Sequence, residues 1–381
     1  MARSVILGAG FGGIAVATEL RRRLGDDHEA VLIDADEEFS MGLRKLWELV
    51  GMGTIAQGSR SRRRLAGGGI EFVHARVEEI DPVARTARAD GRFWQADFLV
   101  VALGAQPRPE LVPGLTEHAH DVWERDRVPT ARVALEAFER GRVAVVIAGG
   151  PYPCPPAPYE CAMLVDERLR ERGIRERAEL VVSTFQPMLL PNVGRPGSEW
   201  LGEQLAARGI DARVGRKVER VESGRVVYSD GELEADLVIG VPPHRPPGVV
   251  TEAGLVGEGG WISVDQATLA TRWPGVFAVG DVTQIKLAND LPLPKAGVIA
   301  EREGTRVAEA IAAEIAGADA PAPFDGHGHC FLELSRSSAA LIEGEFFAQP
   351  EPAVHLREPS RQHAEHKRRF ETERLAQWFG G

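Results

Sequence analysis

Cys154 stands where a nucleotide-binding turn would carry glycine. It lies in the run Gly149-Gly150-Pro151-Tyr152-Pro153-Cys154-Pro155-Pro156-Ala157-Pro158-Tyr159-Glu160. A strand expected over 143–147 leads into this run and a helical pattern over about 159–172 leaves it, the layout of a βα dinucleotide turn. A phosphate cradle needs G-x-G-x-x-G because the backbone must turn tightly and approach a pyrophosphate closely. Here prolines and a cysteine occupy the later glycine positions. A prolyl ring removes an amide donor and a thiol fills the space of a phosphate, so the turn reads as built to present sulfur.

An intact version opens the chain. Residues 4–7 read as a buried parallel strand, Gly8-Ala9-Gly10-Phe11-Gly12-Gly13 follows, and 14–24 carry helical periodicity. A second strand over 30–33 ends on Asp34, 21 residues after Gly13, where an acid should meet a ribose 2′-hydroxyl. A glycine pattern alone is weak; with its strand, helix and acid it reads as a dinucleotide site.

At 381 residues the chain has room for two or three domains with sizeable cores. A net charge of −11 argues against nucleic acid as a partner, and the basic clusters at 60–64 and 366–369 are short enough to be solvated surface. No apolar run is long enough to span a bilayer, and the first strand is expected close to Met1, leaving no room for a signal peptide. A cytoplasmic protein, or one held peripherally at the cytosolic face of a membrane, is expected. Three cysteines are too few for a disulfide framework, and in a reducing compartment a persisting disulfide would be catalytic. Cys161, inside the helical pattern, is expected to be inert core, and no metal site is expected.

The alternation of elements predicts an α/β fold. Two Rossmann-like dinucleotide-binding domains of three-layer ββα build are followed by a small C-terminal α+β unit. The first domain is split, 1–108 and 232–318; the second spans 109–231 and carries Cys154; the third spans 319–381 and carries Cys330. The proline-rich stretch 241–247 marks the return to the first domain. Short β-like runs are expected at 330–334, 340–343 and 344–347.

Gly8-Ala9-Gly10-Phe11-Gly12-Gly13, Leu99-Val100-Val101-Ala102-Leu103-Gly104 and Val276-Phe277-Ala278-Val279-Gly280-Asp281 together resemble the flavoprotein disulfide-reductase superfamily. Three further stretches, Cys154-Pro155-Pro156-Ala157-Pro158-Tyr159-Glu160, Pro294-Lys295-Ala296-Gly297 and Cys330-Phe331-Leu332-Glu333, narrow it. They resemble sulfide:quinone oxidoreductases and the flavoprotein subunit of flavocytochrome c sulfide dehydrogenase. The resemblance implies FAD, with contacts from Gly8, Gly10, Phe11, Gly12, Gly13, Asp34, Val77, Ala102, Gly104, Gly280, Asp281, Lys295 and Gly297. Asp34 would hold the adenosine ribose and Asp281 the ribityl chain.

The resemblance also implies that Cys154 and Cys330, 176 residues apart, meet over the flavin as a redox-active disulfide. Glu160 would carry a proton near them, and Lys295 would offset charge on reduced flavin or form an ion pair. Sulfide or a small persulfide would attack the disulfide and release a thiolate that reduces the flavin. A quinone-like acceptor would then take the electrons, with Phe331, Phe346, Phe347 and Trp378 as candidate walls for it. The helix starting near Gly297 should favour charge on the flavin, and the one following Cys154 should depress that thiol's pKa.

Some family features are missing. There is no cysteine in 116–127, none near residue 42 to link a flavin covalently, and no C-x-x-C-H. FAD should therefore be noncovalent. Residues 370–379 do not form a strong apolar stripe for entry into a membrane, although peripheral contact, and a homodimer, are compatible with the sequence. Two other readings stay open. A type II NADH:quinone oxidoreductase needs a second nucleotide site, yet the second turn has lost its glycines and the strand over 180–184 ends in Phe185-Gln186 rather than an acid. A flavin-bearing redox sensor would use the same cysteines without turnover.

Overall fold

In the computed structural model, which describes residues 1–380, two five-stranded parallel sheets share the order of four of their strands. In the first, Ala2–Leu7 is central, His28–Asp34 and Phe98–Val101 flank it, and Glu71–His74 and Val276–Ala278 lie at the edges. Both faces are covered, which is why these strands read as unbroken apolar runs. On one face Ile6, Leu32 and Val100 meet Ile14 and Leu20 of the helix Phe11–Leu24. On the other, Val5, Leu7 and Val31 meet Ile80, Ala87 and Trp94 of an antiparallel meander over 77–95.

The second sheet repeats this plan. Gly141–Ile147 lies between Leu237–Val241 and Ala178–Thr184, with His120–Asp121 and Ile210–Arg213 outside. A meander over 218–234 covers one face, and the Cys154 helix, Ala157–Glu171, covers the other. The expected boundary at 232 is corrected here, because Leu237–Val241 pairs with Gly141–Ile147 and belongs to the second sheet. The chain returns only after it, where His244–Arg245 pairs antiparallel with the outgoing Gln106–Pro107. The intervening prolines cannot extend a ladder, so the crossing falls there.

The third unit has three antiparallel strands, His327–Ser335, Ser338–Glu345 and Ala353–Ser360. The runs at 340–343 and 344–347 are therefore one strand with a tail, and the third strand lies later than expected. Gly344 looked like a break, yet it pairs with Gly328, and a Cβ on it would lie 2.6 Å from the Phe346 ring folded over it. Ala353–Ser360 escaped notice because it is a half-exposed edge strand without apolar alternation. The C-terminal helix, Arg361–Phe379, is capped by Ser360 and buries Leu375, Trp378 and Phe379. Among the described residues no helix is long and apolar enough to cross a membrane.

Candidate active site

The first turn is closed by its own backbone. Gly8 has φ +101°, and a Cβ there would lie 2.3 Å from the Ala102 oxygen; at Gly13 it would lie 1.8 Å from the Gly8 oxygen. Side chains are excluded at both. Gly12 packs on Val279, whereas Gly10 faces open space at a helix start with no side-chain cap. The first amides are thus left for an anion. Asp34 Oδ2 accepts the Ala9 N–H at 2.6 Å, and Oδ1 accepts that of Asp36 at 2.8 Å. Ala102, bonded to Leu7, and the unobstructed Gly104 line the neighbouring strand end. Val77 buries its side chain between sheet and meander, so only its backbone can meet a ligand.

Arg62 braces this turn, which corrects the reading of 60–64 as solvated surface. It is buried and donates to the carbonyls of Ala9 at 2.9 Å and of Asp36 and Glu38 at 2.8 Å. The Asp34 carboxylate lies 3.5 Å away. Backbone acceptors and a nearby acid make burial of this guanidinium tolerable.

The second turn is shaped differently. Its Gly150–Pro151 bond is cis, and Cys154 sits at φ +55°. The Cys154 N–H bonds the Lys295 carbonyl at 2.8 Å, stapling this loop to the segment before the helix Gly297–Ala316. The Phe185 ring covers Gly150; a Cβ there would lie 2.8 Å from it. Cys330 arrives on His327–Ser335, and its free thiol comes next to the free thiol of Cys154. The neighbouring Cys330 and burial push the Cys154 thiol well up, whereas Cys154 pulls Cys330 down, helped by the Phe331 N–H. The expected depression at Cys154 is thus corrected. Cys161 is core, pushed up to about 12 by burial.

Glu160 lies buried beside this pair but is not free to swing. Its Oε1 accepts from Lys367 Nζ and from the Glu333 N–H, both at 2.7 Å. Lys367 also bonds Glu333 Oε2 at 2.8 Å, which accepts the Trp47 Nε1–H at 2.8 Å. Burial pushes the Glu160 carboxyl up, with Lys367 opposing. Although burial works against its charge, Glu160 and Glu333 hold Lys367 above the usual lysine range. The reading of 366–369 as solvated surface is therefore also corrected at Lys367, which points inward to two acids.

Lys295 is buried and donates to the carbonyls of Asp281 and Thr283, both at 2.7 Å, with its nitrogen 3.6 Å from the Trp261 ring centre. Burial lowers it to about 8. Of the two expected roles, an ion pair is not made: among the described residues no carboxylate lies within 4.0 Å of it. Burial raises Asp281, and its neighbour Gly280 gives its N–H to Glu303 at 2.5 Å. Burial pushes Glu303 up to about 7. The helix Gly297–Ala316 begins without a side-chain cap, and a Cβ on Gly297 would lie 2.9 Å from the Phe11 ring.

The aromatic candidates do not form one wall. Phe346 lines an apolar cavity with Cys330, Pro155, Leu190, Pro294 and Ile299. Phe331 meets His329 and His366 edge-on, Phe347 packs on Phe324, and Trp378 packs on Phe11 and Phe39. Sequence reasoning also missed Lys45, which donates to the Trp123 carbonyl, while the Trp123 indole reaches the Pro153 carbonyl at 3.4 Å. Lys45 is lowered chiefly by burial and feels Asp121 and Cys154. A lysine among the leucines and tryptophan of the short helix Leu43–Leu49 was its only signal.

Two linked dinucleotide folds, one turn with free amides and one in which prolines and a cysteine replace the glycines, define an FAD-binding oxidoreductase. The chain belongs to the pyridine nucleotide-disulphide oxidoreductase family, whose model matches residues 2–304. It is similar to the mitochondrial sulfide:quinone oxidoreductase of Mus musculus, at 25% identity over 366 residues, 91% of this chain and 78% of that one. The sulfide-quinone reductase of Aquifex aeolicus (strain VF5) is 28% identical over 340 residues, 82% of this chain and 76% of its own. The X-ray structure of the sulfide:quinone oxidoreductase from Aquifex aeolicus matches with a TM-score of 0.90 at 24% identity, covering 100% of this chain and 92% of that one.

Proposed function

We propose that this chain oxidises sulfide, or a small persulfide, at Cys154 and Cys330 and delivers the electrons through noncovalent FAD to a quinone-like acceptor. The observation that carries the reading is the thiol pair, assembled from two separate units at a turn that has given up its glycines. The residues present fit FAD. The uncapped helix start at Gly10 and Phe11 would hold the pyrophosphate, Asp34 the ribose and Asp281 the ribityl hydroxyls. The uncapped start at Gly297 would face the electron-rich edge of the ring. Bound there, the flavin supplies a two-electron acceptor for thiolate sulfur.

The chain's own part is sulfur exchange. With the pair oxidised, hydrosulfide attacks one sulfur; a new S–S bond forms, the Cys154–Cys330 bond breaks, and the other cysteine leaves as thiolate. The thiol with the lower pKa leaves faster. The cysteine released is therefore the one better stabilised as thiolate, and the other keeps the incoming sulfur. A quinone acceptor is dissolved in lipid, so the proposal also puts the protein at the cytosolic face of a membrane.

An NADH donor fits less well. Phe185 covers Gly150, two prolines remove amides, and no acid ends the strand Ala178–Thr184. Anaerobic flavin spectra test the choice. Sulfide should bleach the flavin within seconds and NADH only slowly, with steady quinone reduction following when both sulfide and quinone are supplied. Fast bleaching by micromolar NADH would favour the type II NADH:quinone reading, and bleaching by sulfide without turnover would favour a sensor.

A further inference from the structure

Two helix starts without a side-chain cap lie side by side, one opening the helix Phe11–Leu24 and the other the helix Gly297–Ala316. The helices meet backbone to backbone because glycines face each other across the contact. A Cβ on Gly304 would lie 2.4 Å from the Gly12 oxygen, and one on Gly12 would lie 3.2 Å from that of Ala300. The Phe11 ring packs on Gly297 and so lies between the two starts. Their free amides can serve one extended anionic ligand only while that spacing holds.

Behind Phe11 stands the C-terminal helix, Arg361–Phe379. Phe370 stacks on the Phe11 ring with 6.2 Å between centres and the planes 4° apart, and Trp378 meets the same ring edge-on at 5.3 Å. Trp378 and Phe379 also pack on Phe39, at 5.6 and 5.5 Å. The Phe39 ring centre lies 5.9 Å from the guanidinium of Arg62, which holds the Ala9 carbonyl of the glycine turn. The helix therefore backs this turn at two points. Ion pairs fix it there: Glu371 with Arg44, and Arg374 with Glu301. Both partners belong to the unit that carries the glycine turn.

We propose that Phe370 and Trp378 are positioning residues for FAD: they hold Phe11, and through it the spacing of the two helix starts, so that FAD binding and docking of the C-terminal helix strengthen one another. Trp378 then serves the cofactor and is not a wall for the electron acceptor. Stacked and edge-on ring pairs contribute beyond the area they bury, so losing them loosens Phe11 more than a lost aliphatic contact would. Coupling between two equilibria is reciprocal: the factor by which the docked helix tightens FAD is the factor by which FAD tightens the helix. The proposal rests on the reading of the first turn as the FAD site.

The test joins two measurements on the full chain. In the first, FAD is titrated into flavin-free protein, and quenching of its fluorescence gives the Kd. Trp378→Ala, which removes both edge-on contacts, should raise the Kd about tenfold, and Phe370→Leu about threefold. Trp378→Phe, which keeps an aromatic edge, should stay within about threefold of wild type. In the second, hydrogen exchange of the amides over 361–379 is followed by mass spectrometry in wild type with and without FAD. FAD should slow exchange there about tenfold. A Kd for Trp378→Ala within about twofold of wild type would overturn the proposal, and so would equal losses in Trp378→Ala and Trp378→Phe, because the ring contact would then not matter. Should Trp378→Ala not fold, the exchange measurement on wild type decides alone: the same rate with and without FAD overturns it. No sulfide or quinone enters either measurement, so failure here is distinct from a failure of sulfide to bleach the flavin.

Discussion

Glu303 offers a test of how the turn at Gly280 and Asp281 is held. It accepts the Gly280 N–H at 2.5 Å, next to Asp281, and its carboxyl is raised by burial from 4.5 to about 7. A folded-state value above the unfolded one contributes stability that is fully present below pH 4.5 and is lost as pH rises through about 7. At about 1.4 kcal/mol per pH unit, the loss by pH 8 is about 3 kcal/mol. Glu303→Gln does not titrate, and its amide oxygen still accepts the Gly280 N–H. Flavin-free Glu303→Gln should therefore be the more stable protein at pH 8 by about 3 kcal/mol. With an unfolding entropy of about 2.1 cal/mol/K per residue, that is about 4 °C in Tm for 381 residues. Losing this charge also eases Lys295 toward its neutral form, which offsets part of the gain. Calorimetry of both proteins at pH 8 and pH 5 would measure the gap, which should shrink below about 1 kcal/mol at the lower pH. A variant less stable than wild type at pH 8, or a gap independent of pH, would refute the reasoning.

The remaining expectations concern the thiols and the first turn. Cys154→Ser or Cys330→Ser should abolish flavin bleaching by sulfide while leaving FAD bound; Cys161→Ala should bleach like wild type, since that thiol is sealed in the core. Bleaching that survives in either serine variant would end the disulfide route. Arg62→Met should cost about 2–4 kcal/mol, because it leaves carbonyls at the glycine turn without their donor. Loss of FAD on gel filtration, seen as a falling ratio of flavin to protein absorbance, would check it; full retention with unchanged stability would refute it.

Much of the fold was legible because its signals are local. The strand, glycine turn and acid at 4–34 are set by apolar runs and by steric exclusion at Gly8 and Gly13, and both can be read over a few tens of residues. The substitution of prolines and Cys154 into the second turn was equally local. Pairing in space was not. That Leu237–Val241 joins the second sheet follows from its partner Gly141–Ile147, and an apolar strand alone does not say which sheet it enters. Arg62 and Lys367 lie in basic runs that look solvated, and each turns inward only because the fold presents acceptors to it. For Lys367 that acceptor, Glu160, is 207 residues away. How strongly the two thiols act on one another depends on their burial together, which only the fold brings about. Sequence alone determined the nucleotide turn and the sulfur in its second copy; the tertiary structure decided how charge and protons are shared around that sulfur, because electrostatic partners act through space and not along the chain.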